Sequence, residues 1–207
     1  MIILVSGSSG SGKTTFCQQF RERCQSRGLT VISLSHDNYY RDLSTLDFVQ
    51  RARINFDHPD SLETDLLVRD LIQLRDSPGA TIHTPLYDFH THTRKTETET
   101  HRGSDIYLVD GILLLHFPDL RQIADLSVFI DLDNSLALSR RITRDIKERS
   151  RTAAEVLAQY QATVFPMFQK YVLPSRQYAD FVISGNKPFT TVICALVNHC
   201  YHECCLI

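Results

Sequence analysis

The sequence predicts an α/β protein with a mainly parallel sheet held between helices in three layers. Three observations carry this. Short β-branched and apolar runs alternate along the chain with segments of helical period, the pattern of repeated strand–helix units. The first run, Ile2-Ile3-Leu4-Val5, leads into Gly7-Ser8-Ser9-Gly10-Ser11-Gly12-Lys13-Thr14 and then a helical stretch over 15–27. A later run, Ile106-Tyr107-Leu108-Val109, ends on Asp110, and a buried strand rarely ends on a carboxylate without a partner.

The glycine-rich segment has the pattern G-x-x-x-x-G-K-[ST] in its proper context, between a strand and a helix. Glycines let the backbone close round a phosphate, and the amide N–H groups point inward at the positive end of the new helix. A Gly/Ser linker would have neither the strand before nor the helix after. Gly7, Ser8, Ser9, Gly10, Ser11, Gly12, Lys13, Thr14 and Thr15 are therefore candidate contacts for nucleotide phosphates, and the Thr14 hydroxyl is a candidate Mg²⁺ ligand.

Residues 29–35 read as the second strand, and 36–43 as a polar, aromatic loop beyond its carboxyl end, where open α/β sheets bind ligands. A short helix is expected within 44–53. Asp60-Ser61-Leu62-Glu63 resembles a capping box, and the leucines that follow keep helical spacing to Asp76, before Ser77-Pro78-Gly79 stops the helix. Residues 81–83 and 86–89 look like short strands around Pro85, and 90–103 is either a linker or a β-ribbon over the site. Strands follow at 106–110 and 126–131, and a basic helix at 134–150 reads as a lid. A second helix over 153–171 should bend or break at Pro166. A last strand at 181–183 and a helix over 187–205 close the chain.

The 207 residues fit a single domain, with a lid at about 134–152 and a ribbon at about 81–104. Charge is balanced, 22 Lys and Arg against 24 Asp and Glu, which argues against a nucleic-acid partner. The apolar N-terminal run is too short for a signal peptide or a membrane span, so a cytoplasmic protein is expected. Cys17 and Cys24 read as reduced residues packed on one helix face. The Cys- and His-rich stretch from Cys194 to Cys205 matches no usual zinc spacing and reads as a terminal helix with some exposed thiols.

Phosphoryl transfer to an alcohol needs in-line positioning, charge neutralisation and a destination for the proton. Asp37, just past the second strand, can take that proton or hold a metal through water; a turn-capping role is equally open at this position. Asp110 stands where such proteins place the acid that supports Mg²⁺. Arg140, Arg141, Arg144, Arg149 and Arg151, with Lys147, suit a polyphosphate clamp, because the guanidinium fork pairs bidentately with phosphate oxygens. A solvated face paired with Asp145 and Glu148 is the plainer reading. Tyr39, Tyr40, Tyr87, Phe89, His90 and His92 can stack on a planar base, with Gln159 as a further hydrogen-bonding group. Asn186-Lys187-Pro188-Phe189 begins like a guanine-reading N-K-x-D motif, but Phe189 replaces the Asp and the match is taken as chance.

Four segments taken together resemble the signatures of the uridine–cytidine kinases, P-loop nucleoside kinases, in the family's order: 35–41, 55–60, 85–95 and 139–151. The likeness runs from Ile3 to about Gly185. It implies a P-loop NTPase fold and transfer of phosphate from ATP, with Mg²⁺, to the 5′-hydroxyl of uridine and cytidine. It implies that Asp37 is the catalytic acid and that Asp57 holds the ribose hydroxyls with Arg141. Tyr40, Tyr87, Phe89 and His92 match the pyrimidine pocket, and Arg151 and Gln159 match further nucleoside contacts. Arg144 and Arg149 match lid residues on the ATP phosphates. The resemblance also implies a homo-oligomer, commonly a tetramer, inhibited by UTP and CTP. Asp110 stands where the family usually has Glu, and His36 and Asn38 also depart from its commoner residues. Kinases of nicotinamide riboside, pantothenate or ribulose phosphate are the nearest alternatives, and a nucleotide-binding regulatory module the next; the segments around Asp57 and Tyr87 argue against them.

Overall fold

The computed structural model describes residues 1–77, 79–149 and 151–205. In chain order the elements begin with β1 (Ile2–Gly7), α1 (Lys13–Gln25), β2 (Val31–Ser35), α2 (Phe48–Ala52), α3 (Thr64–Asp76), β3 (Ile82–Asp88) and β4 (Thr93–His101). They continue with β5 (Ile106–Asp110), α4 (Pro118–Ile123), β6 (Leu126–Asp131), α5 (Asn134–Arg149), α6 (Ala153–Gln159), α7 (Phe165–Met167), α8 (Leu173–Ser175), β7 (Phe181–Ser184) and α9 (Thr190–Cys205).

Strands β2-β5-β1-β6-β7 form one parallel sheet, in that order. Alternate side chains of a strand face opposite ways, and β1 shows it. Ile2 and Leu4 pack with Leu67, Leu71 and Leu74 of α3, while Ile3 and Val5 pack with Phe16 and Phe20 of α1 and Ile193 and Val197 of α9. Two separate cores on the two faces of one sheet are the predicted three layers. The register sets up the site: Val5 of β1 and Ser35 of β2 both pair with Asp110 of β5. The phosphate loop, Asp110 and the start of the Asp37 turn therefore lie side by side at the carboxyl edge.

β3 and β4 form a separate antiparallel ribbon, hydrogen-bonded to no strand of the main sheet. Pro85 was expected to divide two short strands. Instead one strand runs through it, with the pairing shifted between Pro85 and Tyr87, and an irregularity of this kind accommodates a residue without an N–H. The stretch after His90 is ribbon rather than linker.

Two local expectations are corrected and one holds. Helix α3 starts at Thr64 with Glu63 as its N-cap and no side-chain cap, so the capping box at 60–63 is absent; true boxes form at Asp47/Gln50 and Thr152/Glu155. The helix stop after Asp76 is observed, with Pro78 outside the described residues. Of the bend or break expected at Pro166, the break is excluded: wide π turns, Tyr160–Val164 and Phe168–Val172, flank α7. A widened turn accommodates the carbonyl that proline cannot hydrogen-bond, so the helical path continues to α8.

Cys17 and Cys24 are buried and free as expected. At the C-terminus Cys200 is also fully buried and Cys194 and Cys204 half-buried, so the described thiols there are less exposed than predicted; the Cys205 side chain lies outside the described residues. Among the described residues no group of three or more His, Cys, Asp or Glu is placed to hold a metal ion, and no helix is long and apolar enough to cross a membrane.

Candidate active site

A cleft of about 770 Å³ opens at the carboxyl edge of the sheet. Ser9, Gly10, Gly12, Lys13, Thr14 and Thr15 form its floor. Gly10 (φ 85°) and Gly12 (φ 102°) hold left-handed backbone conformations that favour glycine. At Gly10 a Cβ would also sit 2.4 Å from the carbonyl oxygen of Ala137, so the loop's path there excludes a side chain. Gly12 is the N-cap of α1 and supplies no side-chain cap, and the first turn holds no acid. The N-terminal amides are thus left for an anion. Gly7, Ser8 and Ser11, also expected as phosphate contacts, do not line the cleft; Gly7 closes β1, with its backbone close to Ile130.

Lys13 donates from Nζ to the carbonyl oxygens of Gly7 (3.0 Å) and Ser8 (2.9 Å). Burial lowers its pKa to about 8, opposed by the charges of Asp110 and Asp37. Burial, and then the neighbouring Asp37, raise the Asp110 carboxyl to about 6. Two carboxylates in mutual repulsion beside a threonine hydroxyl make a hard-oxygen set with an electrostatic deficit that a divalent cation would relieve. Thr14, Asp37 and Asp110 therefore fit Mg²⁺, an ion that commonly takes only one or two protein carboxylates and completes its shell with phosphate and water.

Asp37 sits on a 3₁₀ turn, His36–Tyr39, directly after β2. The ring of His36 is buried, hydrogen-bonds Thr64 Oγ1 at 3.1 Å and packs edge-on to Phe117, which anchors that turn. Beyond Asp37 the cleft becomes aromatic. Tyr40 and Tyr87 are buried with ring centroids 5.2 Å apart, Phe89 packs on Tyr87, and His92 stacks on Phe56 at 4.9 Å. His92 has φ 55°, an uncommon conformation for a residue with a side chain, at the turn of the ribbon. Asp57 is 8% exposed and still lines the cleft. The ribbon is tied to the Asp37 turn by two side chains. Asn38 Oδ1 accepts from the Tyr87 N–H at 3.2 Å. Arg94 donates to the carbonyls of Tyr40 and Tyr39 and pairs with Glu63 at 2.7 Å.

The family model described as "Phosphoribulokinase / Uridine kinase family" matches residues 2–190. The chain belongs to this family. It is 40% identical to the uridine kinase of Leuconostoc citreum over 198 residues, 96% of this chain and 93% of that protein. It is also 40% identical to the uridine kinase of Ligilactobacillus salivarius over 183 residues, 88% and 84% of the two chains. Among solved structures, D-glycerate 3-kinase from Cryptococcus neoformans var. grubii superposes with a TM-score of 0.66 at 16% identity, over 91% of this chain and 87% of that one. That likeness bears on the fold, and the fold is that of a P-loop kinase.

Against the phosphoribulokinase / uridine kinase frame, the arginine helix divides its work. Arg140, Arg141, Arg144 and Arg151 line the cleft, whereas Lys147, expected on the same face, is exposed to solvent. The Arg149 side chain lies outside the described residues. Arg140 donates to the Gly185 carbonyl at 3.0 Å. Gln159 Oε1 accepts from both Arg141 (3.2 Å) and Arg151 (2.6 Å), so it aligns these two guanidiniums as well as lining the cleft. Asp145, read from the sequence as a surface salt-bridge partner, is fully buried among the arginines.

Several cleft residues of this family member were missed. Gln19, Lys187, Pro188, Phe189 and Thr190 also line the cleft. The 186–189 segment was set aside because Phe189 cannot read guanine, but the same ring packs edge-on to Phe16 at 5.4 Å and would touch a Cβ at Gly12. Phe56 lay inside a segment used only for its acids; a ring beside Asp57 was the available signal.

Proposed function

We propose that the protein transfers the γ-phosphoryl group of ATP to the 5′-hydroxyl of uridine, and of cytidine, giving the nucleoside monophosphate. One observation carries this reading: the phosphate loop and an aromatic pocket with the buried Asp57 open into a single cleft, with Asp37 between them. The aromatic wall suits a planar base, and a buried carboxylate suits a vicinal diol, which donates two hydrogen bonds to it.

Asp37 accepts or orients the proton of the attacking hydroxyl. Lys13 exchanges its loop carbonyls for the phosphate oxygens, and the low pKa of about 8 leaves it ready to gain from an anion. Arg144, with Arg149, meets charge on the moving phosphoryl group. Tyr40, Tyr87, Phe89 and His92 hold the base, and Asp57, Arg141, Arg151 and Gln159 the sugar and its surroundings. Thr14 and the Asp37/Asp110 pair would hold Mg²⁺, which would supply charge neutralisation at the phosphates. The chain acts as one kinase domain, with 134–152 as the lid and 81–104 as the nucleoside ribbon. A cytoplasmic homo-tetramer restrained by UTP and CTP is the accompanying proposal.

The test is a panel of nucleosides and phosphorylated sugars incubated with MgATP, with products identified by mass. Uridine should give UMP; phosphorylation of nicotinamide riboside or ribulose phosphate with uridine untouched would reject the reading. Replacing Asp37 by Asn should cost ~10²–10⁴ in kcat and leave ATP affinity near normal. A kcat close to the parent value would remove Asp37 from the mechanism.

A further inference from the structure

We infer that Asp145 is a positioning residue, whose buried carboxylate sets the phosphate-facing Arg144 and the nucleoside-facing Arg141 and Arg151 as one unit before any substrate arrives. The assignment of those arginines to two subsites rests on the function proposed above.

The geometry is specific. Asp145 is 0% exposed. Its Oδ1 accepts from Arg144 at both Nε (2.9 Å) and Nη2 (2.7 Å). Its Oδ2 lies 3.7 Å from Arg141 Nε and 3.8 Å from Arg151 Nη1, at ion-pair distance from both. The main chain adds a link, for the Arg151 N–H donates to the Asp145 carbonyl at 3.3 Å, folding the chain after α5 back towards the cleft. Gln159 Oε1 then bridges Arg141 and Arg151.

Each contact has a physical consequence. Arg141 and Asp145 are four apart and meet naturally on one helix face, but Arg144 is adjacent to Asp145 and neighbours on a helix do not face each other. The Arg144 side chain must curl back to make its two bonds, which removes rotamer freedom that substrate binding would otherwise have to remove. A single internal carboxylate also offsets the repulsion among three guanidiniums. It leaves the cluster net positive, as a phosphate site needs. A surface acid would be screened by water; a buried one acts at close to full strength. One carboxylate shared by arms to both subsites makes their positions depend on each other.

The variant is Asp145→Asn, which keeps shape and one acceptor but removes the charge. Its MgATP affinity, by calorimetry, should weaken ~10–100-fold, and its uridine KM should rise as well. A cycle with Arg144→Ala separates positioning from general structure. Added to Arg144→Ala, Asp145→Asn should weaken MgATP binding no further, while its effect on uridine KM persists through Arg141 and Arg151. Affinities within twofold of the parent, or the same ATP loss with and without Arg144, would overturn the inference. A lowered melting temperature with unchanged constants per active site would do the same, since it marks a purely structural acid. Should Asp145→Asn not fold, the parent supplies the test. The Arg144 Nε–H signal in ¹⁵N spectra of the ligand-free protein, assigned with Arg144→Lys, should be resolved and protected from exchange; a signal averaged with surface arginines would refute preorganisation. If the parent phosphorylates no nucleoside, the proposed function fails while the MgATP cycle still decides on Asp145.

Discussion

Replacing Asp110 by Asn should make the ligand-free protein more stable and the enzyme nearly inactive. Asp110 rises from its ordinary 3.8 to about 6, chiefly by burial and then by repulsion from Asp37. Between those values the native state holds a proton that the unfolded state has lost, so stability falls as pH rises through that window. Above it the full burden of about two pKa units stands, roughly 3 kcal/mol. The attraction of Lys13 is already contained in this figure, because its charge is among the causes that set the Asp110 value. Near pH 7.5 the expected gain is therefore about 3 kcal/mol, or roughly 6–12 °C in Tm for a chain of this size. The assay is thermal unfolding of parent and variant without nucleotide at pH 5 and pH 7.5, beside kcat with MgATP. The gain should be larger at pH 7.5. A variant less stable than the parent at pH 7.5, or a gain independent of pH, would refute the electrostatic account of this corner of the site.

Asp57→Ala should raise the uridine KM by ~10-fold or more with little change for ATP, in steady-state assays varying each substrate in turn; a normal uridine KM would dislodge Asp57 from the acceptor site. Gly10→Ala forces a Cβ to within 2.4 Å of the Ala137 carbonyl at a backbone φ of 85°, and should cost about 1–3 kcal/mol together with most ATP binding, read from Tm and calorimetry. Arg94→Ala removes the Glu63 ion pair and two bonds to the Tyr39 and Tyr40 carbonyls, so ribbon amides should exchange faster in deuterium and the uridine KM should rise. Unchanged exchange in β3 and β4 would show that the ribbon is held by other contacts.

Local chemistry made part of this molecule legible. The phosphate loop, the strand ending on Asp110 and the leucine-spaced helix α3 each follow from short-range pattern, and each is where that pattern put it. What escaped depends on contacts distant in sequence. Asp145 reads like any acid on a basic helix until Arg151 folds back over it, and only burial distinguishes a hub from a solvated salt bridge. The stretch at 187–190 carried only an incomplete guanine-reading pattern, taken as chance; it joins the cleft because β7 lies two strands from the phosphate loop. The helical path through Pro166 was left open because proline predicts a bend or a break, and only the wide turns on either side, which absorb the missing donor, decide between them. The aromatic pocket was visible as composition, but its order, with His92 lying flat on Phe56, is a product of the ribbon turn.

The ribbon's independence from the main sheet reaches further than this one enzyme. Donor chemistry is written into strands that hold the fold together, so changes there put the whole domain at risk. Part of the proposed acceptor pocket, Tyr87, Phe89 and His92, sits instead on an appendage outside that sheet, held by the core packing of Ile82 and Tyr87 and by ties from Arg94 and Asn38. Such an appendage can be lengthened, recoloured or exchanged while the engine beneath it is left alone. A family whose shared description already joins phosphoribulokinase with uridine kinase is the diversity that this division of labour would generate.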